Sequence, residues 1–387
     1  KSLKQSIIQF RNLATLASYH KSRILNHPIL YFQQFPIMKT TTISSLLILS
    51  LASATLAHDA HSDSKSSSHH KSPNSQSFMT VVNTGQGVYS YQTVPGFGKT
   101  PDGSKIGPTH GGVAVDNQGL IYVSTDGPKS ICVFKADGTL VKEIAPTAAG
   151  IHGMQIHTEG DKQFIYGAKR GKNKKAVKID LDGNIIMSIP NKVTGEIPGG
   201  VGGITGIAVA PDNSIFVSMG YGSQMIHKFD QSGKLLKSFG GGGNGKNQFR
   251  SCHGLGIDTR FGEPRLLVCD RENRRLVHLD LEGNWIGVHA TGLRRPCAVS
   301  FHGDYSAVAE LEARVAILDK DGKIVSLVGD NPNKAQWAKF PVKPENQQPG
   351  IFTAPHGLSF DKDGNLYVQD WNATGRISKM QRIQKAD

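Results

Sequence analysis

The sequence predicts an all-β fold, a six-bladed β-propeller of four-stranded antiparallel blades, and three observations carry that prediction. First, one unit recurs: His-Gly, a short apolar strand, an Asp-x-x-Gly turn, a second apolar strand, then a polar loop. Its cleanest copy spans Thr353–Asp370, and related copies start at His110, His152 and His253, with variants at Thr205 and Cys297. Second, 44 glycines and 18 prolines among 387 residues, with only 19% charged, suit many tight turns rather than long helices. Third, six such sheets in a line would expose two apolar ends, whereas a closed ring leaves none.

The chain before the repeats divides by composition. Residues 1–37 have neither an initiator methionine nor a repeat pattern, and are expected to be an upstream, non-native leader. From Met38 a basic start, an apolar run over Ile43–Leu56 and a small-residue end at Ala57 have the form of a secretory signal peptide over 38–57, with the native start at Met38. The apolar run is short for a membrane span. The rival reading of the acid-free, Ser- and Arg-containing leader is an organellar transit peptide. Residues 58–78 are polar and rich in Ser and His, which predicts a disordered tether. The propeller is expected over 79–387.

Within the first unit, apolar runs at Gly112–Asp116, Gly119–Ser124, Ser130–Phe134 and Thr139–Ile144 are separated by turn-forming residues. The same succession returns in 204–240, 254–288, 298–328 and 357–380. The second copy, 152–189, is interrupted by the basic loop Lys169–Lys175. The last copy stops after three strands near Arg382, and Gly87–Val94 is expected to supply the missing outer strand and close the ring.

Formal net charge is +13, of which the acid-free first 57 residues contribute six. The remaining +7 is a mild excess, and no basic run is interleaved with aromatics, so nucleic acid is not an expected partner. A monomer without a transmembrane anchor is expected. Four cysteines in a chain bound for secretion suggest a cross-strand disulfide between Cys252 and Cys269, with Cys132 and Cys297 as buried thiols. Asn372-Ala-Thr374 is a glycosylation sequon.

The recurrent His precedes the innermost strand of its blade, so these side chains should converge at one mouth of the axial channel. His152, His253 and His356 are 101 and 103 residues apart, two blades each time. Three inward imidazoles related by a rough threefold axis form a facial ligand set for Zn²⁺ or another divalent transition metal. The alternative is a ring of histidines hydrogen-bonded around water. His110 is a fourth member of the set: a further ligand, an acid/base or a turn residue. Tyr221, on the same side, is either a general base whose phenol a nearby cation acidifies or a residue that packs its Gly-rich loop. Arg271, in the loop Asp270–Arg275, is placed either to bind an anionic group or to knit blades by ion pairs, as Glu310, Glu312, Arg314, Asp370 and Arg376 would. No Gly-x-Ser-x-Gly elbow or phosphate loop is found.

The units resemble NHL repeats. Val217–Tyr221, Asn247–His253, Val268–Asn273 and Ala354–His356 further resemble peptidyl-α-hydroxyglycine α-amidating lyase, over roughly residues 105–380. The resemblance implies a six-bladed propeller whose metal is held by three His from alternate blades, with a Tyr and an Arg at the active site. It would cleave peptidyl-α-hydroxyglycine to a peptide amide and glyoxylate. By position, His152, His253 and His356 become the ligands and Tyr221 the catalytic phenol. The family's Arg position is held here by Ser124–Asp126, and Gly357 stands where an Asp would help hold calcium. The expected function is therefore a secreted metal-binding lyase, or a diverged relative, acting on a small or peptide substrate. The alternative is a non-catalytic propeller that binds an extracellular protein or glycan.

Overall fold

In the computed structural model of the protein, which describes residues 80–98 and 100–384, every regular segment longer than three residues is a β-strand. The leader, signal-peptide and tether expectations for 1–78 lie outside the described residues. Among the described residues no helix is long and apolar enough to cross a membrane.

Six antiparallel sheets form the blades, as expected from the repeat. Their innermost strands are Val113–Val115, Ile151–Glu159, Gly206–Val209, Cys252–Asp258, Pro296–His302 and Pro355–Phe360. The Asp-x-x-Gly signal is a turn with a defined mechanism. Asp361 Oδ1 accepts from the backbone N–H of Asp363 and Asn365, and Gly364 takes φ +78°, a conformation open to glycine.

Each seam between neighbouring blades holds an apolar cluster, and that between blades five and six holds a second small one around Cys297, Leu311 and Ala354. The cluster between blades two and three, for example, joins Tyr166, Ala168 and Ile189 to Ile207, Ile215 and Phe229. Middle strands such as Ile121–Ser124 and Ile131–Phe134 are buried throughout because a blade packs on either face. This geometry corrects the expected disulfide. Cys252 pairs across the ladder with Asp270, so Cys269 points to the other side of the sheet. Cys252 packs in the seam with blade three and Cys269 in the seam with blade five, and all four cysteines are free and buried. The sequon is also folded away: Asn372 is buried and its Nδ2 donates to the Val342 carbonyl.

The ring closes through the N-terminal segment. Tyr89–Thr93 pairs with Arg376–Arg382, giving blade six its outer strand, and Asn83–Gln86 adds a fifth beyond it. The fifth strand leans on blade five, where Gln86 and Thr84 accept from the N–H groups of Leu327 and Gly329. Tyr91 is fully buried in the closing strand and its hydroxyl donates to the Gly364 carbonyl. Tyr91→Ala should lower unfolding free energy by about 3–5 kcal/mol, the usual loss for an aromatic core truncation. Urea denaturation checks this, and a change below ~1 kcal/mol would show that the closure is not holding the ring.

Candidate metal centre at the propeller axis

The ladders define six equivalent positions, one at the head of each inner strand. They are Gly111, His152, Thr205, His253, Cys297 and His356, followed by Gly112, Gly153, Gly206, Gly254, Ala298 and Gly357. The glycines explain the His-Gly signal, because the neighbouring blade's carbonyl passes where a side chain would sit. A Cβ on Gly153 would lie 2.8 Å from the Thr205 oxygen, on Gly254 2.2 Å from that of Cys297, and on Gly357 1.6 Å from that of Gly111. This register corrects one expectation: His110 is not the fourth equivalent imidazole but stands one residue earlier. Gly111 holds the equivalent place, and a Cβ there would fall 2.5 Å from His356 Nδ1.

The three alternate-blade histidines meet at the axis with ring centroids 4.7 Å apart in each pairing. Two are oriented by the next blade. His152 Nδ1 lies 2.6 Å from the Thr205 carbonyl and His253 Nδ1 2.9 Å from that of Cys297, which places a proton on each Nδ1 and a lone pair on each Nε2. His356 Nδ1 is buried without a partner. All three imidazoles titrate well below the ordinary histidine range. Burial is the main cause, reinforced by neighbouring imidazoles and by the Arg170 and Arg271 charges. They are neutral at physiological pH, the state a metal requires.

Tyr221 leans over this triangle. Its hydroxyl is 2.9 Å from His253 Nε2 and 3.3 Å from His152 Nε2, and it accepts from Arg271 Nη1 at 3.0 Å. The residue is 39% exposed, yet desolvation around its hydroxyl raises its pKa against the opposing pull of Arg271. The phenol therefore keeps its proton at neutral pH. Arg271 is anchored through Nε to Glu272, which also binds Arg295.

Sequence reasoning missed two neighbours. Arg170, from the basic loop of blade two, lies 4.8 Å over the Tyr221 ring and donates to His110 Nε2 at 3.0 Å. It has no carboxylate partner among the described residues. Cys297 is the other, and its place at the head of an inner strand was the available signal. His110 sits over the rim, 4.8 Å from His152 and 5.0 Å from His356 by ring centroids, with Asp126 at 3.3 Å. Ser124, at the resembled family's Arg position, is structural: its hydroxyl bonds Gly112 N and the Ile151 carbonyl.

The loops that deliver His253, Cys297 and His356 are clamped by one acid each. Asp270 accepts from Arg250 N–H at 2.8 Å, Glu310 from Arg294 N–H, and Asp370 from Thr353 and Ala354 N–H at 2.9 and 2.6 Å. Each acid is paired with an Arg on the following strand, namely Arg275, Arg314 and Arg376. Each of these pairs lies within one blade, so Glu310, Arg314, Asp370 and Arg376 hold the loops that aim the site rather than knit neighbouring blades; Glu312 does join blades, by pairing with Arg274 of blade four.

The donors suit a metal. Those of His110, His152 and His356, and those of His253, Cys297 and His356, lie within 4.8 Å of one another in each group. Imidazole and thiol donors match Zn²⁺ or a similar late transition ion, and neither group contains the carboxylates that calcium prefers.

No family model matches the chain. Among solved structures it is similar to a gluconolactonase from Xanthomonas campestris (12% identity, 76% of this chain and 89% of that one, TM-score 0.53). It is also similar to a putative gluconolactonase (15%, 77% and 92%, 0.52) and to a streptogramin B lyase (14%, 79% and 99%, 0.50). At such identities the likeness is one of fold.

Asp370→Ala would strand two buried N–H groups and the Arg376 charge at the loop carrying His356. A loss of about 3–5 kcal/mol is expected from breaking this buried pair, together with weaker metal retention, by urea titration and metal analysis. Unchanged values in both would show that the clamp does not position His356.

Proposed function

We propose that this chain is a secreted, metal-dependent lyase similar to the peptidyl-α-hydroxyglycine α-amidating lyases. One observation carries the reading: three neutral histidines from alternate blades converge at the axis, and the Tyr221 hydroxyl lies against two of them. His152, His253 and His356 would hold the ion, zinc or a comparable divalent metal. When bound, such an ion polarises the oxygen of a coordinated substrate.

The remaining chemistry belongs to side chains. In the cleavage, the C–N bond breaks, the hydroxyl carbon becomes the aldehyde of glyoxylate, and the amide nitrogen gains a proton. Tyr221, which holds its proton, supplies it to the departing nitrogen. Arg271, donating to the same oxygen, stabilises the phenolate that remains. The phenolate then takes the proton shed by the substrate hydroxyl, restoring the start. Arg170 stands in for the resembled family's Arg from a different blade, and its guanidinium, free of acidic partners among the described residues, receives the substrate carboxylate.

Metal analysis of the purified protein beside His253→Ala tests the centre. About one tightly held ion per chain, lost in the variant, is expected. A native protein that retains no metal would sink the enzyme reading and leave a propeller that binds an extracellular protein or glycan. With α-hydroxyglycine peptides as substrate, Tyr221→Phe should reduce kcat by roughly 100-fold with little change in KM. Arg170→Ala should instead raise KM by about 10-fold or more, the loss of one charged hydrogen bond. Wild-type kinetics from both variants would remove these residues from the mechanism.

A further inference from the structure

We propose that Cys297 is a fourth, thiolate donor to the ion held by His152, His253 and His356. The inference rests on the metal reading above and deepens it, since it specifies a borderline-soft ion and a shell that the protein itself completes.

The six equivalent positions at the axis show why this residue stands out. Three are the histidines. Of the other three, Gly111 has no side chain. Thr205 is committed to the frame, its hydroxyl bonding Ser218 Oγ, the Cys252 carbonyl and Gly220 N–H. Only Cys297 presents a donor that is not tied into the sheet frame. Its Sγ is grouped with the ligand atoms of His253 and His356 inside 4.8 Å, and all three residues are buried. Its hydrogen bond to the Arg295 carbonyl is a long one, 3.6 Å, and the Arg271 guanidinium lies beside the sulfur. The Cys297 backbone already serves the centre, because its carbonyl orients His253. The unpartnered Nδ1 of buried His356 is a second sign that this corner is organised around a ligand rather than around its own hydrogen bonds.

Bond lengths of about 2.0–2.1 Å to nitrogen and about 2.3 Å to sulfur would draw these donors inward around a tetrahedral ion. The thiol proton leaves to solvent as the sulfur–metal bond forms. His152, His253, His356 and Cys297 together would supply the four donors that a protein-completed zinc site takes, and substrate would have to add to that set or replace one of its members. Such a set favours Zn²⁺, Co²⁺ or Cd²⁺ and disfavours Mg²⁺ and Ca²⁺.

Cobalt(II) added to the metal-free full chain supplies the test. The expected spectrum has visible ligand-field bands of a tetrahedral ion and a near-ultraviolet sulfur-to-cobalt charge-transfer band. Cys297→Ser and Cys297→Ala should keep the former and lose the latter, while His253→Ala should weaken both. Visible bands without charge transfer in the wild type would overturn the thiolate ligand and leave the three-histidine centre standing. No cobalt binding above the His253→Ala background would overturn both. X-ray absorption of the zinc-loaded wild type decides the point without any variant: a sulfur shell at about 2.3 Å supports the proposal and a shell of nitrogen and oxygen alone refutes it.

Discussion

Everything at the axis depends on how closely the inner strands approach one another. At four of the six junctions a glycine lets the next blade's carbonyl into the space a β-carbon would fill, the tightest being Gly357 against Gly111. That approach brings the three imidazole centroids to 4.7 Å from each other and buries the rings. It also supplies the acceptors that fix two of the rings. A larger residue after any of these histidines would widen the ring and dissolve the site before touching a donor. The His-Gly pair is therefore one structural device: the histidine provides the donor, and the glycine permits the distance.

The charged residues nearest the site have unlike roles that their sequence positions do not separate. Asp270, Glu310 and Asp370 face inward to backbone N–H groups and are neutralised by Arg275, Arg314 and Arg376, so they act through loop position. Arg271 lies within the same acidic-basic run as Asp270 yet turns its guanidinium to Tyr221. The distinction arises because Asp270 ends a strand in the ladder, whereas Arg271 begins the loop above it.

The architecture was legible in the sequence because each blade writes the same alternation of strand and Asp-x-x-Gly turn. The closing strand could be anticipated from a last copy one strand short, although the extra strand Asn83–Gln86 could not, since its partner is supplied by tertiary packing. The spacing of His152, His253 and His356 pointed to the axis because register is preserved from blade to blade. The same logic misled at His110, where a one-residue offset places Gly111 at the equivalent position. It misled again at Cys252 and Cys269, since adjacent strands bring residues near but the pleat sends these two side chains to opposite seams. Arg170 was hidden because its loop is an insertion outside the repeat, and Cys297 because a buried thiol looks alike in sequence whatever it faces.

The electrostatics of the centre tie the two proposals together. The three histidines are neutral, so they would leave the full charge of a divalent ion in a buried site. Arg170 and Arg271 already bring guanidinium charge there, and Glu272 is shared between Arg271 and Arg295. Positive charges confined at low dielectric repel strongly, and no carboxylate stands in either donor group to offset them. Anions must therefore join the ion if it is to be held tightly. A thiolate from Cys297 cancels one unit of charge from within, and a substrate carboxylate on Arg170 cancels another from without. A site built as proposed would retain its ion at rest through sulfur and prefer an anionic substrate.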